Sequence, residues 1–279
     1  MIYGIVFMMN KNRKKSLPTK VVFYSDPLTD EFSTAEISPR RIDGKYRYDR
    51  EIGVRHVFSG FWYRLVAVPL ALCYLKHKLH HTVVGKEKLK TAEKQGFFIY
   101  GNHTQIIGDA LIPSAIRLPK KPSVIVHPNN VSMPFLGRCV PYLGGIPLPD
   151  DLSATRSFTH LIEKRLGQGR AIFIYPEAHI WPYYTGIRPF TDDSFYYPIK
   201  YNTPVFCFTN VYKARKRSTH PKVVTYVDGP FYADRSLSRI AQRKDLRDRV
   251  YETMCSRAQL SDCTYIEYRP IEEKEGIKT

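Results

Sequence analysis

Cysteine is scarce in this chain and never closely paired. The five cysteines, at 73, 139, 207, 255 and 263, are odd in number, widely spaced and without a Cys-x-x-Cys. That spacing excludes a zinc ribbon and argues against a disulfide framework. It predicts mostly buried thiols in a reducing compartment. Acidic residues are also few: 26 Asp and Glu face 43 Lys and Arg, a net charge of +17. The excess favours an anionic partner, whether nucleic acid, an acidic membrane surface or a phosphorylated substrate. No RNA- or DNA-reading motif accompanies the charge, so nucleic acid is not expected as a partner. Repeats and low-complexity tracts are missing as well. So are a Gly-x-Ser-x-Gly elbow, a Walker A run and a Gly-x-Gly-x-x-Gly. Their absence speaks against a serine-hydrolase elbow and against the two common nucleotide-binding loops.

What is present is a globular composition, 43% apolar and 25% charged, which rules out disorder as a description of the whole. A short apolar run, Met1 to Met9, has its basic residues after it (Lys11, Arg13, Lys14, Lys15), the reverse of a secretory signal. Residues 1–56 read as a polar, turn-rich extension, wrapped on the body or partly loose, with a short strand at Val21 to Tyr24. Residues 57–81 read as an apolar, membrane-associating helix. Val57 to Leu75 (VFSGFWYRLVAVPLALCYL) holds one charge, Arg64, and is at the short limit for a bilayer span. Phe61, Trp62 and Tyr63 mark one end and Lys76, His77, Lys78, His80 and His81 follow the other, a pattern suited to the headgroup region. A core helix and a spanning helix are the alternatives. His80-His81 reads as a solvated basic turn, because no partner has ligand spacing.

Residues 82–270 alternate strand and helix. Strands are expected at 82–84, 96–100, 124–126, 171–175, 204–208 and 223–227. Helices are expected at 109–118, at 153–166 with Ser153 as its cap, and at 234–256. The fold class is therefore α/β, a sheet with helices on its faces. Residues 271–279 form a charged tail.

Two loops carry titratable groups directly after apolar strands. Gly96 to Tyr100 (GFFIY) leads into Gly101-Asn102-His103-Thr104-Gln105-Ile106-Ile107-Gly108-Asp109, and Ala171 to Tyr175 (AIFIY) leads into Pro176-Glu177-Ala178-His179-Ile180-Trp181. Loops past strand ends are where such folds keep their chemistry. A His followed within a turn or two by an Asp suits a dyad in which the carboxylate holds the imidazole and the free nitrogen takes a proton. Spacing alone fits equally well with both side chains capping the next helix. His127 is placed either in the cleft or as loop filler, and Lys213 to Arg217 (KARKR) either against phosphates or in solvent.

On these residues the chain resembles the PlsC-like lysophospholipid acyltransferases. Asn102-His103 with Asp109 is similar to their first motif, although five residues rather than four separate His103 from Asp109. Gly144-Gly145-Ile146-Pro147-Leu148 stands where the second motif falls. Tyr175-Pro176-Glu177-Ala178 matches the first half of the third, and Pro198 with Pro204-Val205 the fourth. The resemblance covers about residues 57–230 and implies the glycerolipid acyltransferase fold, with a mixed, mostly parallel sheet. It also implies direct transfer of an acyl group from a thioester, acyl-CoA or acyl carrier protein, to a lipid hydroxyl. No metal or other cofactor is expected. Membrane lipids would be partners, at the cytoplasmic face, with the protein peripheral or monotopic.

His103 and Asp109 are then catalytic, and Gly108 supplies the flexibility for the extra residue. Backbone amides near Gly144 and Gly145 or Gly101 stabilise the oxyanion. Asn102, Glu177, His179 and Arg188 bind substrate, with Trp181 beside them. The family's two phosphate-associated arginines are missing: the third-motif run continues His179-Ile180-Trp181, and Asp150 stands at the second-motif position. Arg156, Arg188 or Lys200 would have to replace them, or the acceptor is neutral. The alternative function is a non-catalytic lipid-binding relative of the same fold.

Overall fold

A computed structural model describes residues 20–32, 37–51, 60–92, 94–117 and 119–272. The expectations for Met1 to Met9, for the start of the apolar segment at 57–59 and for most of the charged tail lie outside the described residues.

The centre is a seven-stranded sheet. In chain order its strands are β2 (Thr82–Val84), β3 (Phe97–Gly101), β4 (Ser123–Val126), β5 (Gly145–Pro147), β6 (Ala171–Ile174), β7 (Val205–Arg215) and β8 (Ser218–Phe231). They lie in the order β2-β8-β7-β3-β6-β4-β5. β8 runs antiparallel to β7, and every other neighbouring pair is parallel. β3 and β6 read as unbroken apolar runs because both of their faces are covered, as parallel strands require. Phe98, Tyr100, Ile172 and Ile174 face a core completed by Phe158 and Ile162 of α5 (Leu152–Gly167) and by Leu246 and Val250 of α7 (Arg239–Ala258). Phe97, Ile99 and Phe173 face the other core, closed by Leu75 of α1 (Val68–His77) and by Ile112 and Ile116 of α2 (Gly108–Arg117). The alternation is the period of two expected of a pleated strand. The expected mixed, mostly parallel α/β sheet is therefore present.

Several elements depart from the sequence reading. α5 starts earlier than Ser153 implies, because Asp151 is its cap and accepts from Ala154 N at 2.7 Å. β7 and β8 form a long hairpin of 11 and 14 residues, far beyond 204–208 and 223–227. The short helices α3 (Pro128–Ser132), α4 (Leu136–Leu143) and α6 (Tyr196–Tyr201) were not anticipated. A separate two-stranded parallel sheet pairs β1 (Lys20–Tyr24) with β9 (Ile266–Pro270). The described residues 37–51 of the extension pack on the body: Ile42, Tyr46 and Tyr48 are buried in the first core. Glu51 ends that strap among Lys121 (2.5 Å), Arg165 (3.3 Å) and Arg170 (2.5 Å). The expectation of mostly buried thiols fails. Cys207 is buried, Cys255 and Cys263 are half-buried, and Cys73 and Cys139 are exposed.

The described part of the apolar segment is helical, with a π-turn at Tyr63–Ala67 running into α1. Tyr63, Val68, Ala71 and Leu75 are buried, and Tyr63 donates to Ser114 Oγ on α2 at 2.9 Å. Phe61, Trp62, Leu65, Leu70 and Leu72 stay exposed on the same helix. One face thus belongs to the core and the other is uncovered. Among the described residues no helix is long and apolar enough to cross a membrane.

Candidate active site

The carboxyl ends of β3, β6 and β4 open onto one cleft of about 330 Å³. β3 turns into it at Gly101, where a Cβ would sit 2.0 Å from the Phe208 ring. Glycine is needed there for close approach, and it lets the next two residues leave the sheet in a fixed direction. Asn102 is then clamped to β7: its Nδ2 donates to Asn210 O at 3.1 Å, and Asn210 N donates to its Oδ1 at 2.8 Å. With 1% exposure, Asn102 anchors the loop and does not face the cleft, contrary to its expected substrate contact.

His103 and Asp109 are brought together. Nδ1 of His103 lies 2.8 Å from Oδ2 of Asp109, which opens α2 and is buried. Gln105 N donates to the same oxygen at 2.9 Å. A turn at Ile106–Ile107 lies between His103 and Asp109. Gly108 contributes room and not a left-handed backbone: a Cβ there would lie 2.8 Å from Gln105 Cβ and 2.9 Å from Leu79 Cδ1. Burial raises the Asp109 pKa, and the His103 hydrogen bond and charge work against that rise. The His103 ring stacks on Tyr175 at 4.5 Å, and Tyr175 donates to Asp109 O at 2.5 Å. With Nδ1 held by the carboxylate, Nε2 is the nitrogen left for a substrate proton. A base so placed contributes about 10²–10⁴ in rate.

A polar chain behind the dyad was not visible in the sequence. Asn210 Nδ2 donates to Asp109 Oδ1 at 3.2 Å. Asn210 Oδ1 accepts from the Thr225 hydroxyl at 2.6 Å. Because that hydroxyl spends its proton on Asn210, the 2.7 Å contact from His81 Nε2 to Thr225 Oγ1 has the imidazole donating. Burial lowers the His81 pKa to about 4, so the ring is neutral at pH 7 with its proton on Nε2. The only signal in the sequence is polar residues in the continuation of two apolar strands.

The remaining expected site residues lie elsewhere. Glu177 is 3% exposed. Its Oε2 accepts from His103 N at 3.2 Å and its Oε1 from Arg188 N at 3.2 Å. Burial raises its pKa, opposed first by the Arg188 charge. Arg188 is buried too: it donates to Glu177 O at 3.1 Å and to His179 O, and sits over the Trp181 ring. Glu177 and Arg188 therefore brace the two loops against each other and do not line the cleft. His179 pairs at the surface with Glu31 at 3.1 Å, and Trp181 is packed under Tyr24, Phe32 and Tyr268. Gly144 and Gly145 stand at the start of β5, paired with Val124 at the start of β4. Through Val124 and Phe173 that start is level with Ile99 on β3, four residues before His103, and neither glycine lines the cleft, contrary to their expected oxyanion role. His127 does line the cleft, and its Nδ1 caps α3 by accepting from Asn129 N at 3.2 Å. Among the described residues no group of three His, Cys, Asp or Glu could hold a metal.

The site is thus a buried carboxylate behind an imidazole at the mouth of an apolar cleft, an arrangement able to accept a proton. Residues 80–209, just under half of the chain, match the family model described as Acyltransferase. The match begins at the turn before β2 and ends inside β7, so it holds His103, Asp109 and Glu177. Among solved structures the chain is similar to the 1-acyl-sn-glycerophosphate (LPA) acyltransferase PlsC from Thermotoga maritima, at 17% identity and a TM-score of 0.48, over 71% of this chain and 87% of that one. No curated protein matches the sequence.

Proposed function

We propose that the protein transfers a fatty acyl group from a thioester to a lipid hydroxyl at a membrane surface, with His103 as general base. The observation that carries the reading is the 2.8 Å contact from His103 Nδ1 to Asp109 Oδ2 at the head of the apolar cleft. The acceptor O–H gives its proton to His103 Nε2 as the oxygen attacks the thioester carbonyl carbon. The ester C–O bond forms and the C–S bond breaks. The departing thiolate takes the proton back from the imidazolium, whose charge Asp109 balances. No group on the enzyme is acylated.

The membrane part of the reading rests on Phe61, Trp62, Leu65, Leu70 and Leu72, all exposed on one helix together with Arg64 and Lys76. An apolar stripe with aromatics at one end and cations along it suits the interface of an acidic bilayer. The net charge of +17 works in the same direction.

The test is acyl transfer by purified protein in mixed micelles, with labelled acyl-CoA and acyl carrier protein as alternative donors and lysolipids as acceptors. Ester formation with release of one free thiol per turnover is the expected result. Membrane binding without transfer from either donor would favour the non-catalytic alternative.

A further inference from the structure

The polar part of the cleft says which acceptor this site takes, a deepening that rests on the acyl-transfer reading. Along one side the cleft is apolar, with Val124, Leu148, Phe158 and Ile174. Its remaining polar side chains include Asp193, Thr191, Ser194, Asn130 and His127. Asp193 stands on the short turn Asp193–Phe195 and accepts from the Thr191 hydroxyl at 2.7 Å. That turn is rigid: Tyr100 donates to Ser194 O at 3.0 Å and stacks on the buried Phe195 at 4.1 Å. His127 faces the cleft with Nδ1 already used as an acceptor for α3. Among the described residues neither Lys nor Arg lines the cleft.

The cations that could replace the missing arginines lie outside the lining. Arg188 is held by Glu177 and His179. Arg243 pairs with Asp192 at 2.9 Å, outside the lining. Lys200 lies against Tyr196 and Tyr201, and Arg156 is on the exposed side of α5. Asp150 does not line the cleft and accepts from Ile42 N at 2.6 Å. Ile180 lines the cleft from the loop after β6.

A phosphate monoester close to the reacting hydroxyl needs cations or clustered N–H donors. This cleft instead offers it a second carboxylate beside the one behind His103. We propose that the acceptor presents a hydrogen-bond donor, a hydroxyl or an ammonium group, to Asp193, and that it carries no phosphate next to the hydroxyl being acylated.

The experiment compares three acceptors with the same acyl chain and glycerol skeleton: a 1-monoacylglycerol, its 3-amino-3-deoxy analogue and the 1-acylglycerol 3-phosphate. Each is measured in neutral detergent micelles with the wild type and with Asp193→Asn. The expected kcat/KM with the hydroxyl or ammonium acceptor is at least tenfold above that with the phosphate. Asp193→Asn should raise the phosphate acceptor about tenfold by removing a like charge, and lower the ammonium acceptor by a similar factor. Because Asp193 is exposed, the variant should fold, which its unchanged melting curve would show. Preference for the phosphate acceptor, undisturbed by Asp193→Asn, would overturn the proposal while leaving acyl transfer intact. Transfer to none of the three by a folded protein would overturn both.

Discussion

Thr225→Val isolates the polar chain behind the dyad. Threonine and valine have nearly the same shape, so the change removes one hydroxyl from a fully buried site and little else. Two hydrogen bonds go with it, at 2.6 Å to Asn210 Oδ1 and at 2.7 Å from His81 Nε2. Asn210 Oδ1 is then an unpaired acceptor in a side chain that is 1% exposed. An unmet buried group costs about 1–3 kcal/mol, and the half-buried His81 adds less, so the variant should be about 2–4 kcal/mol less stable. The catalytic consequence is separate. With Thr225 donating to Oδ1, Asn210 must aim Nδ2 at Asp109; without it the amide can turn and set an oxygen against the carboxylate. The stronger hydrogen bonds to a charged group are worth about 1.5–3 kcal/mol, and the loss of roughly half of that in the transition state lowers kcat about tenfold. The assay is steady-state acyl transfer well below the unfolding midpoint, paired with urea denaturation. The expected pattern is lower kcat with unchanged KM, restored by Thr225→Ser to within about twofold. A Thr225→Val protein that is less stable yet keeps full kcat would refute a positioning role for Asn210.

Other outcomes follow from the same geometry. Glu177→Gln leaves the buried Arg188 guanidinium without its carboxylate and should cost about 3 kcal/mol in urea unfolding. Burial works against the ionised Glu51, but the Arg170 hydrogen bond and the Lys121 and Arg170 charges outweigh it and hold its pKa at about 2. Its folded pKa lies below the unfolded value near 4.5, so its contribution is present above that value and is lost as pH falls from about 4.5 through 2. Stability measured against pH should show that loss in the wild type and not in Glu51→Gln. Replacing Trp62 and Leu65 together with Asp should release the protein from anionic vesicles in a sedimentation assay, with little change in melting temperature because both side chains are exposed.

The dyad was legible in the sequence because a buried strand, a glycine and a helix start fix the path of the chain between His103 and Asp109. The role of Glu177 was not. A carboxylate after a strand reads as a substrate contact until its partners are seen, and here they are the amides of His103 and Arg188. Gly144 and Gly145 were misassigned for a reason of direction: β5 is three residues long, and which of its ends meets the cleft depends on its parallel pairing with β4. Asn210 and Thr225 escaped notice because they continue runs whose apolar start ends the pattern early, although the β7–β8 hairpin pairs them directly. The β1–β9 pair joins residues almost 250 apart in sequence, which no local pattern encodes. The apolar segment was read as membrane-associating, with a core helix and a spanning helix as alternatives, and the two faces of its described part divide between a buried side and an exposed one.

The central claim is that His103 takes the proton of the acceptor hydroxyl while Asp109 holds it. The direct measurement is single-turnover acyl transfer from a labelled thioester by wild type, His103→Ala and Asp109→Asn, each verified as folded by circular dichroism and melting. The account predicts that His103→Ala loses about 10³-fold or more of the rate and Asp109→Asn a large part of it, with donor binding unchanged. Transfer by His103→Ala at the wild-type rate would contradict the mechanism.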